Sequence, residues 1–211
     1  ARALAPLLDQ PSTAFTALNA NTTTVILPGS KVGLPSGTTA VYICGGDQNR
    51  LKRLLTDPLL KQLAEFEGVI GGSSAGAMIA APQMIAGGMD ASTLKGHQLR
   101  IVEGMAFLPG VVIDTHCGQR GRDTRSIAAL ALIPSVELAI GLDEDTAIHI
   151  VAGKCTVYGP GHARLYRRGP NFSSSLSKAG KGEVANAKDL LLTLLCAGDE
   201  FELPVTKPAV K

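Results

Sequence analysis

Short apolar runs rich in β-branched residues recur along the chain, and glycine or proline bounds most of them. Runs of this kind predict short β-strands. Eight such strands are predicted, at residues 23–27, 40–44, 68–72, 111–113, 138–142, 147–151, 155–159 and 163–167.

Two segments between the earlier runs have the apolar spacing of helices: residues 51–66, interrupted at Pro58, and residues 122–132. Strands that alternate with helices predict a mostly parallel sheet covered on both faces. After residue 138 the predicted strands follow one another directly, which predicts antiparallel strands at the end of the sheet. The polar stretch at 169–183 predicts a mobile loop.

Composition describes a folded chain. Its 211 residues suit one domain spanning 1–211, and 45% of them are hydrophobic. No apolar run reaches the roughly eighteen residues of a membrane helix, so no membrane partner is predicted. The 20 basic and 18 acidic side chains nearly balance, and only 4% of residues are aromatic, which argues against a nucleic-acid partner.

The four cysteines are far apart and form no metal-binding pattern, so they are interpreted as small buried hydrophobes in a reducing compartment. We therefore expect a cytoplasmic protein without a metal. The chain starts at Ala1 rather than methionine, which leaves secretion open.

Residues 69–79, VIGGSSAGAMI, contain the frame G-x-S-x-G at Gly72, Ser74 and Gly76. This frame can present a serine on a tight turn between a strand and a helix. The N–H of Ala75 would then face the carbonyl oxygen that becomes negatively charged when Ser74 attacks the carbonyl carbon. The frame alone is a weak signal, because a serine needs a base to take its proton.

Three further stretches follow predicted strands, where reactive groups of α/β sheets gather. CGGDQ at 44–48 either exposes backbone N–H groups to a phosphate or an oxyanion, or is a plain turn with Asp47 as a helix cap. His116 follows the strand at 111–113 and is either a base or a capping or packing residue; the other three histidines have simple structural explanations. The acidic stretch GLDEDTA at 141–147 either orients the imidazole or is a solvated turn.

The order serine, histidine, acid differs from that of ordinary α/β-hydrolases, in which the acid precedes the histidine. The chain resembles the cyanophycinase group of serine peptidases, which is related to the aspartyl dipeptidases called peptidase E. The blocks that carry the resemblance are CGGDQNRL, GGSSAGAMIAAPQMIAGG, VIDTHCGQRGRDTR, IGLDEDTA and LLCAGDEFEL.

The resemblance implies an α/β three-layer sandwich like that of class I glutamine amidotransferases, with a mostly parallel central sheet and antiparallel C-terminal strands. It gives Ser74 the role of nucleophile, His116 that of base and Glu144 that of orienting acid. Backbone N–H groups of Gly46 and Ala75 would hold the oxyanion. No metal or organic cofactor is implied, and a homodimer is expected.

The resemblance also implies substrate-binding roles for Gln48, Asp114, Arg120, Arg122 and Arg125. Guanidinium groups suit carboxylates because they form paired hydrogen bonds. From pattern alone, Arg122 and Arg125 also fit an exposed helix face, paired with Asp123.

The R-x-R-x-x-R pattern of these arginines favours cyanophycinase, which cleaves an aspartate polymer with β-linked arginine, over peptidase E, which cleaves α-aspartyl dipeptides. A silent binding or scaffold protein of the same fold is an alternative, and cysteine chemistry at Cys117 is a weaker one. The strands that open the family pattern appear absent from this chain, so the sheet is expected to lack an edge strand, to borrow one, or to belong to a fragment.

Overall fold

The computed structural model describes residues 2–5, 22–25, 33–48, 51, 57–88 and 94–204. The chain divides into two compact units, Ala1–Ile79 and Ala80–Lys211. The single domain that the sequence suggests stays a prediction.

The first unit contains a four-stranded sheet in the order β2-β1-β3-β4, and the described strand pairs in it are parallel. Its strands are β1 (Arg2–Ala5), β2 (Thr22–Val25), β3 (Ala40–Ile43) and β4 (Val69–Gly72). The helices whose full range lies within the described residues of this unit are α1 (Asp57–Ala64) and α2 (Ala75–Met78), and α2 packs against β3 and β4.

Burial explains why these segments take these forms. Val41 and Ile43 of β3 are buried while their neighbours are partly exposed, as the two-residue period of a strand requires. In α1, Leu59 and Leu63 are buried, and their spacing of four residues places them on one face of the helix. Pro58 lies in the first turn of α1, where its missing N–H has no partner to lose.

The first strand of the structure was not predicted. The sequence suggested no strand before residue 23, yet Arg2–Ala5 form β1 between β2 and β3. The sequence patterns therefore missed β1. Residues 26 and 27 of the first predicted strand, and residues 52–56 of the first predicted helix, lie outside the described residues.

The second unit contains three sheets, with strand orders β12-β11-β8-β7, β13-β10-β9 and β5-β6. Their strands are β5 (Gln83–Gly87), β6 (Arg100–Glu103), β7 (Val111–Thr115), β8 (Leu138–Leu142), β9 (Ala147–Val151), β10 (Lys154–Tyr158), β11 (Ala163–Ser174), β12 (Ala187–Leu195) and β13 (Glu200–Glu202). The helices of this unit are α3 (Cys117–Arg120), α4 (Asp123–Leu132) and a 3₁₀ turn at Leu176–Lys178.

The core of the second unit lies around β7 and β8, in which every residue is buried. These two strands are parallel and in register from Val111 with Leu138 to Thr115 with Leu142. Helix α4 packs against both of them and against β11. Strands that are buried along their whole length are typical of parallel pairs covered on both faces.

The α/β fold class predicted from the sequence is confirmed, and so are the antiparallel C-terminal strands. The predicted loop at 169–183 is wrong for 169–174, which continue β11. The pairing with β12 holds this segment in the sheet, and the register shifts between Arg168 and Ser173. Gly169 and Pro170 lie at this irregularity, where a residue without an N–H is tolerated.

Cys117 and Cys155 are buried, as predicted, whereas Cys44 is half-buried and Cys196 is exposed; all four are free thiols. Among the described residues, no helix is both long and apolar enough to cross a membrane.

Candidate active site

Ser74 lies on a tight turn between β4 and α2. Its backbone has φ 49° and ψ −121°, and the helix begins at the next residue. A Cβ atom on Gly72 would overlap the carbonyl group of Gly76, and one on Gly76 would overlap that of Ile43. The two glycines of the frame are therefore required by close backbone contacts around the serine.

The CGG turn that follows β3 lies against this serine. Strands β3 and β4 are parallel, with Ile43 opposite Gly72, so their carboxyl ends are level. A Cβ atom on Gly45 would come within 2.9 Å of the Ser74 Cβ. Gly46 has φ +133°, a conformation that side chains rarely adopt, and Gln48 is half-buried just beyond it.

In the second unit, the structure brings His116 and Glu144 together. His116 directly follows β7, Glu144 lies two residues after β8, and the ends of these strands are level. The Nδ1 atom of His116 is 2.9 Å from Oε1 of Glu144. The side chain of His116 is 23% exposed and that of Glu144 is 47% exposed. A histidine whose Nδ1–H donates to a carboxylate carries its proton acceptor on Nε2.

Ser74 and His116 both have an uncommon positive backbone angle φ. Both have positive φ, at 49° and 57°, and they are two of seven non-glycine residues with this property in the described part of the chain. Such conformations cost free energy and persist where the surrounding structure fixes them, which is common at functional sites. Ser74 belongs to the first unit, and His116 and Glu144 belong to the second.

Two of the three arginines predicted to bind substrate are buried beside Asp114. The guanidinium Nε of Arg125 is 2.9 Å from the carboxylate of Asp114, and these two residues are 3% and 1% exposed. Arg122 donates to the carbonyl of Thr115 at 3.0 Å. The alternative of an exposed helix face paired with Asp123 is therefore wrong for Arg122 and Arg125, whereas Arg120 is exposed.

The carboxylate of Asp143, next to Glu144, is held by several donors. Backbone N–H groups of Gly118 and His162 donate to it at 2.8 and 3.1 Å, and Arg164 donates from Nε at 3.2 Å. Burial raises the pKa of Asp143, but the hydrogen bonds from Arg164, His162 and Gly118 outweigh it, so the pKa lies below its usual value. Asp143 is thus a carboxylate at neutral pH.

Sequence reasoning singled out neither Asp143 nor Arg164. Asp143 belongs to the acidic stretch at 141–147, so a signal existed there, but it did not separate Asp143 from Glu144. Arg164 lies on β11, 21 residues further on, and only the antiparallel pairing with β8 brings it close.

Cys117 does not suit a nucleophile. The residue is fully buried, and burial, followed by the charges of Asp114, Asp123 and Asp143, raises the pKa of its thiol. A thiol must ionise to attack, so Cys117 lacks the environment of reactive cysteines.

The α/β fold is shared with a solved peptidase from an acI-B1 Actinobacterium. The two chains are 18% identical with a TM-score of 0.60, and the likeness covers 96% of this chain and 82% of the other. The family model of peptidase family S51 matches residues 15–158. The chain belongs to peptidase family S51.

Curated relatives point in the same direction. A protein named cyanophycinase from Geminocystis herdmanii is 38% identical over 176 residues, which are 81% of this chain and 64% of the relative. One of the same name from Synechococcus elongatus is 32% identical over 174 residues, which are 80% of this chain and 54% of the relative. The chain therefore spans between about half and two thirds of the length of these relatives.

The buried pair of Asp114 and Arg125 generates a stability prediction. The change Asp114→Ala is expected to lower the free energy of unfolding by about 3–5 kcal/mol, because Arg125 stays buried without that carboxylate. The double variant Asp114→Leu/Arg125→Met removes both charges and is expected to lose much less. Urea unfolding followed by circular dichroism measures both, and equal losses would contradict the unpaired charge of Arg125 as the cause of the loss in Asp114→Ala.

Proposed function

We propose that the chain is a serine peptidase of cyanophycinase type. Its proposed substrates are cyanophycin or related aspartyl and β-aspartyl-arginine peptides. Membership in peptidase family S51 supports peptide hydrolysis, and relatives named cyanophycinase support the substrate class. The observation that carries the proposal is the 2.9 Å contact between His116 and Glu144, found in a chain that also holds Ser74 on a strained turn.

In the proposed mechanism, His116 takes the proton of the Ser74 hydroxyl while Oγ attacks the substrate carbonyl carbon. The N–H groups of Gly46 and Ala75 donate hydrogen bonds to the resulting oxyanion. When the tetrahedral intermediate collapses, the C–N bond breaks and the leaving amine takes the proton from His116. Water then attacks the carbonyl carbon of the acyl-enzyme while His116 takes a proton from it. The bond to Oγ breaks, the proton passes from His116 to Ser74, and the acid is released.

Glu144 is proposed to hold the imidazole in the tautomer that has its acceptor on Nε2. The carboxylate receives the Nδ1–H and stabilises the imidazolium that forms when Ser74 gives up its proton. It does not itself take part in the proton transfer.

Of the proposed substrate-binding residues, Arg120 is assigned direct contact with substrate carboxylates. Its side chain is exposed, whereas those of Arg122 and Arg125 are buried and engaged with the β7 segment through Thr115 and Asp114. We propose that Asp114, Arg122 and Arg125 support the substrate site without touching the substrate, and that Gln48 also contributes to substrate binding.

The change Ser74→Ala is expected to reduce kcat for cyanophycin and for β-aspartyl-arginine peptides by at least about 1000-fold, because no hydroxyl remains to attack. Release of ninhydrin-reactive amines measures the rate. A fluorophosphonate probe is expected to label the wild-type chain at Ser74 and to leave Ser74→Ala unlabelled.

Three results would separate the alternatives. A folded wild-type chain that is no faster than Ser74→Ala and takes up no probe is a silent family member. Cleavage of α-aspartyl dipeptides alone indicates activity of the peptidase E type. Activity that survives in Ser74→Ala but is lost in Cys117→Ala would assign the nucleophile to the cysteine.

The change Arg120→Ala is expected to raise KM about 10-fold or more with kcat nearly unchanged, because it removes a charge-assisted contact made in ground and transition states alike. Arg120→Lys keeps the charge but loses the paired geometry, so an intermediate KM is expected. Steady-state kinetics on a substrate with a free β-carboxylate measures both. A KM that stays at the wild-type value in both variants would remove Arg120 from the substrate site.

Two further features belong to the same proposal. We propose a homodimer, on the basis of the resemblance to family members, and expect twice the chain mass in sedimentation equilibrium; a monomer at micromolar concentration would contradict it.

A cytoplasmic location is proposed because all four cysteines are free thiols, and cell fractionation tests it.

A further inference from the structure

The carboxylate of Asp143 connects three segments of the second unit. It receives the Gly118 N–H from the helix after β7 and the His162 N–H from the turn before β11. It also receives the guanidinium of Arg164 on β11, at 3.2 Å from Nε and 3.4 Å from Nη2. Asp143 itself is only 8% exposed. One side chain thus links the segment that follows His116 to the segment that carries Glu144.

A side chain in place of either of two glycines would displace groups around this carboxylate. A Cβ atom on Gly118 would lie 2.8 Å from Oδ1 of Asp143, and one on Gly161 would lie 2.8 Å from its Cβ. Real Cβ atoms do not approach other groups this closely without displacement. The carboxylate is therefore seated directly against the backbone.

A second contact runs in the opposite direction. The side-chain oxygen of Gln119 accepts the backbone N–H of Glu144 at 3.0 Å. Residues 118 and 119 follow His116 closely. Each of the two segments therefore binds the backbone of the other through a side chain. We call the contacts Asp143 to Gly118 and Gln119 to Glu144 the loop clasp.

The contact between His116 and Glu144, which the clasp borders, is weak by itself. The side chain of Glu144 is 47% exposed, and exposed ion pairs contribute about 0–1 kcal/mol because water screens them and ordering two side chains costs entropy. Such a contact is populated reliably only if the backbone on both sides already holds the two groups at the right separation. The clasp supplies this constraint through a part-buried hydrogen bond from Gly118 to the buried carboxylate of Asp143, together with the exposed hydrogen bond between Gln119 and Glu144.

We propose that Asp143 is a positioning residue, which with Gln119 holds Glu144 against Nδ1 of His116. The proposal rests on the proposed function in that the pair is taken to activate Ser74. Asp143 exchanges no proton in this role and does not contact the substrate. Arg164 balances the charge of Asp143 and also lies 3.6 Å from Asp123, whose carboxylate receives the hydroxyl of Tyr166.

The test compares three folded variants with the wild type. Asp143→Asn keeps the shape of the side chain but presents an amide group to a set of donors, and Gln119→Met removes the acceptor for Glu144. Asp123→Asn is the matched control, because it takes a carboxylate away from Arg164 and leaves both clasp contacts in place. Thermal unfolding shows which variants fold, and Gln119→Met decides the matter if Asp143→Asn does not fold.

The first readout needs no substrate. In proton NMR, the Nδ1–H of an imidazole held by a carboxylate gives a slowly exchanging downfield signal, and the variant His116→Gln assigns that signal. We expect the signal in the wild type and in Asp123→Asn, and its loss or broadening in Asp143→Asn and in Gln119→Met. Retention of the signal in both clasp variants overturns the proposal, whether or not the protein proves to be a peptidase.

The second readout is kinetic. A displaced imidazole is expected to lower kcat about 10- to 100-fold in the clasp variants, while KM stays within about 2-fold, because substrate contacts are untouched. A folded clasp variant with wild-type kcat, or an equal loss in Asp123→Asn, overturns the proposal. If the wild type itself is no faster than Ser74→Ala, the proposed function fails, and the NMR result alone decides on the clasp.

Discussion

The parallel pairing of β7 with β8 is the constraint on which the rest of the second unit depends. Both strands are buried on both faces, and they end level with one another, at Thr115 and Leu142. A parallel pair in register delivers the residues that follow its two strands to the same edge. His116 and Glu144 lie in contact for this reason, although 28 positions separate them in the chain.

In the first unit, parallel pairing likewise brings together the residues that follow two strands, but these residues carry different groups. Strands β3 and β4 end level at Ile43 and Gly72, so the CGG turn and the serine turn meet. Here the contact is between backbones rather than between charges, which explains the density of glycine in both turns. Glycine thus lets the two turns of the first unit approach each other closely.

Sequence patterns were most informative where a residue's environment is set locally. The strands at 138–142 and 147–151 have the predicted bounds, because apolar alternation or a short apolar run ends at clear turn signals. For the stretch 141–147 the strand ends left two possibilities open, a contact with His116 or a solvated turn, and only the family resemblance pointed to Glu144. Whether that contact serves catalysis is a separate question of function.

Other features depend on partners distant in sequence and were missed. Residues 169–174 read as a loop by composition, yet pairing with β12 keeps them in a strand. The apolar run within β12 lacks the alternation that separates strands from helices, so it gave no signal of its own. The helical pattern around Arg125 suggested an exposed face, because no local pattern reveals that Asp114 is buried beside it.

The close approach of Gly118 to Asp143 has a consequence for how such chains diverge. A side chain at 118 would displace the carboxylate at 143. Substitutions at these two sites are therefore expected to be correlated across homologous proteins. Neighbouring surface positions without such crowding are free to drift independently.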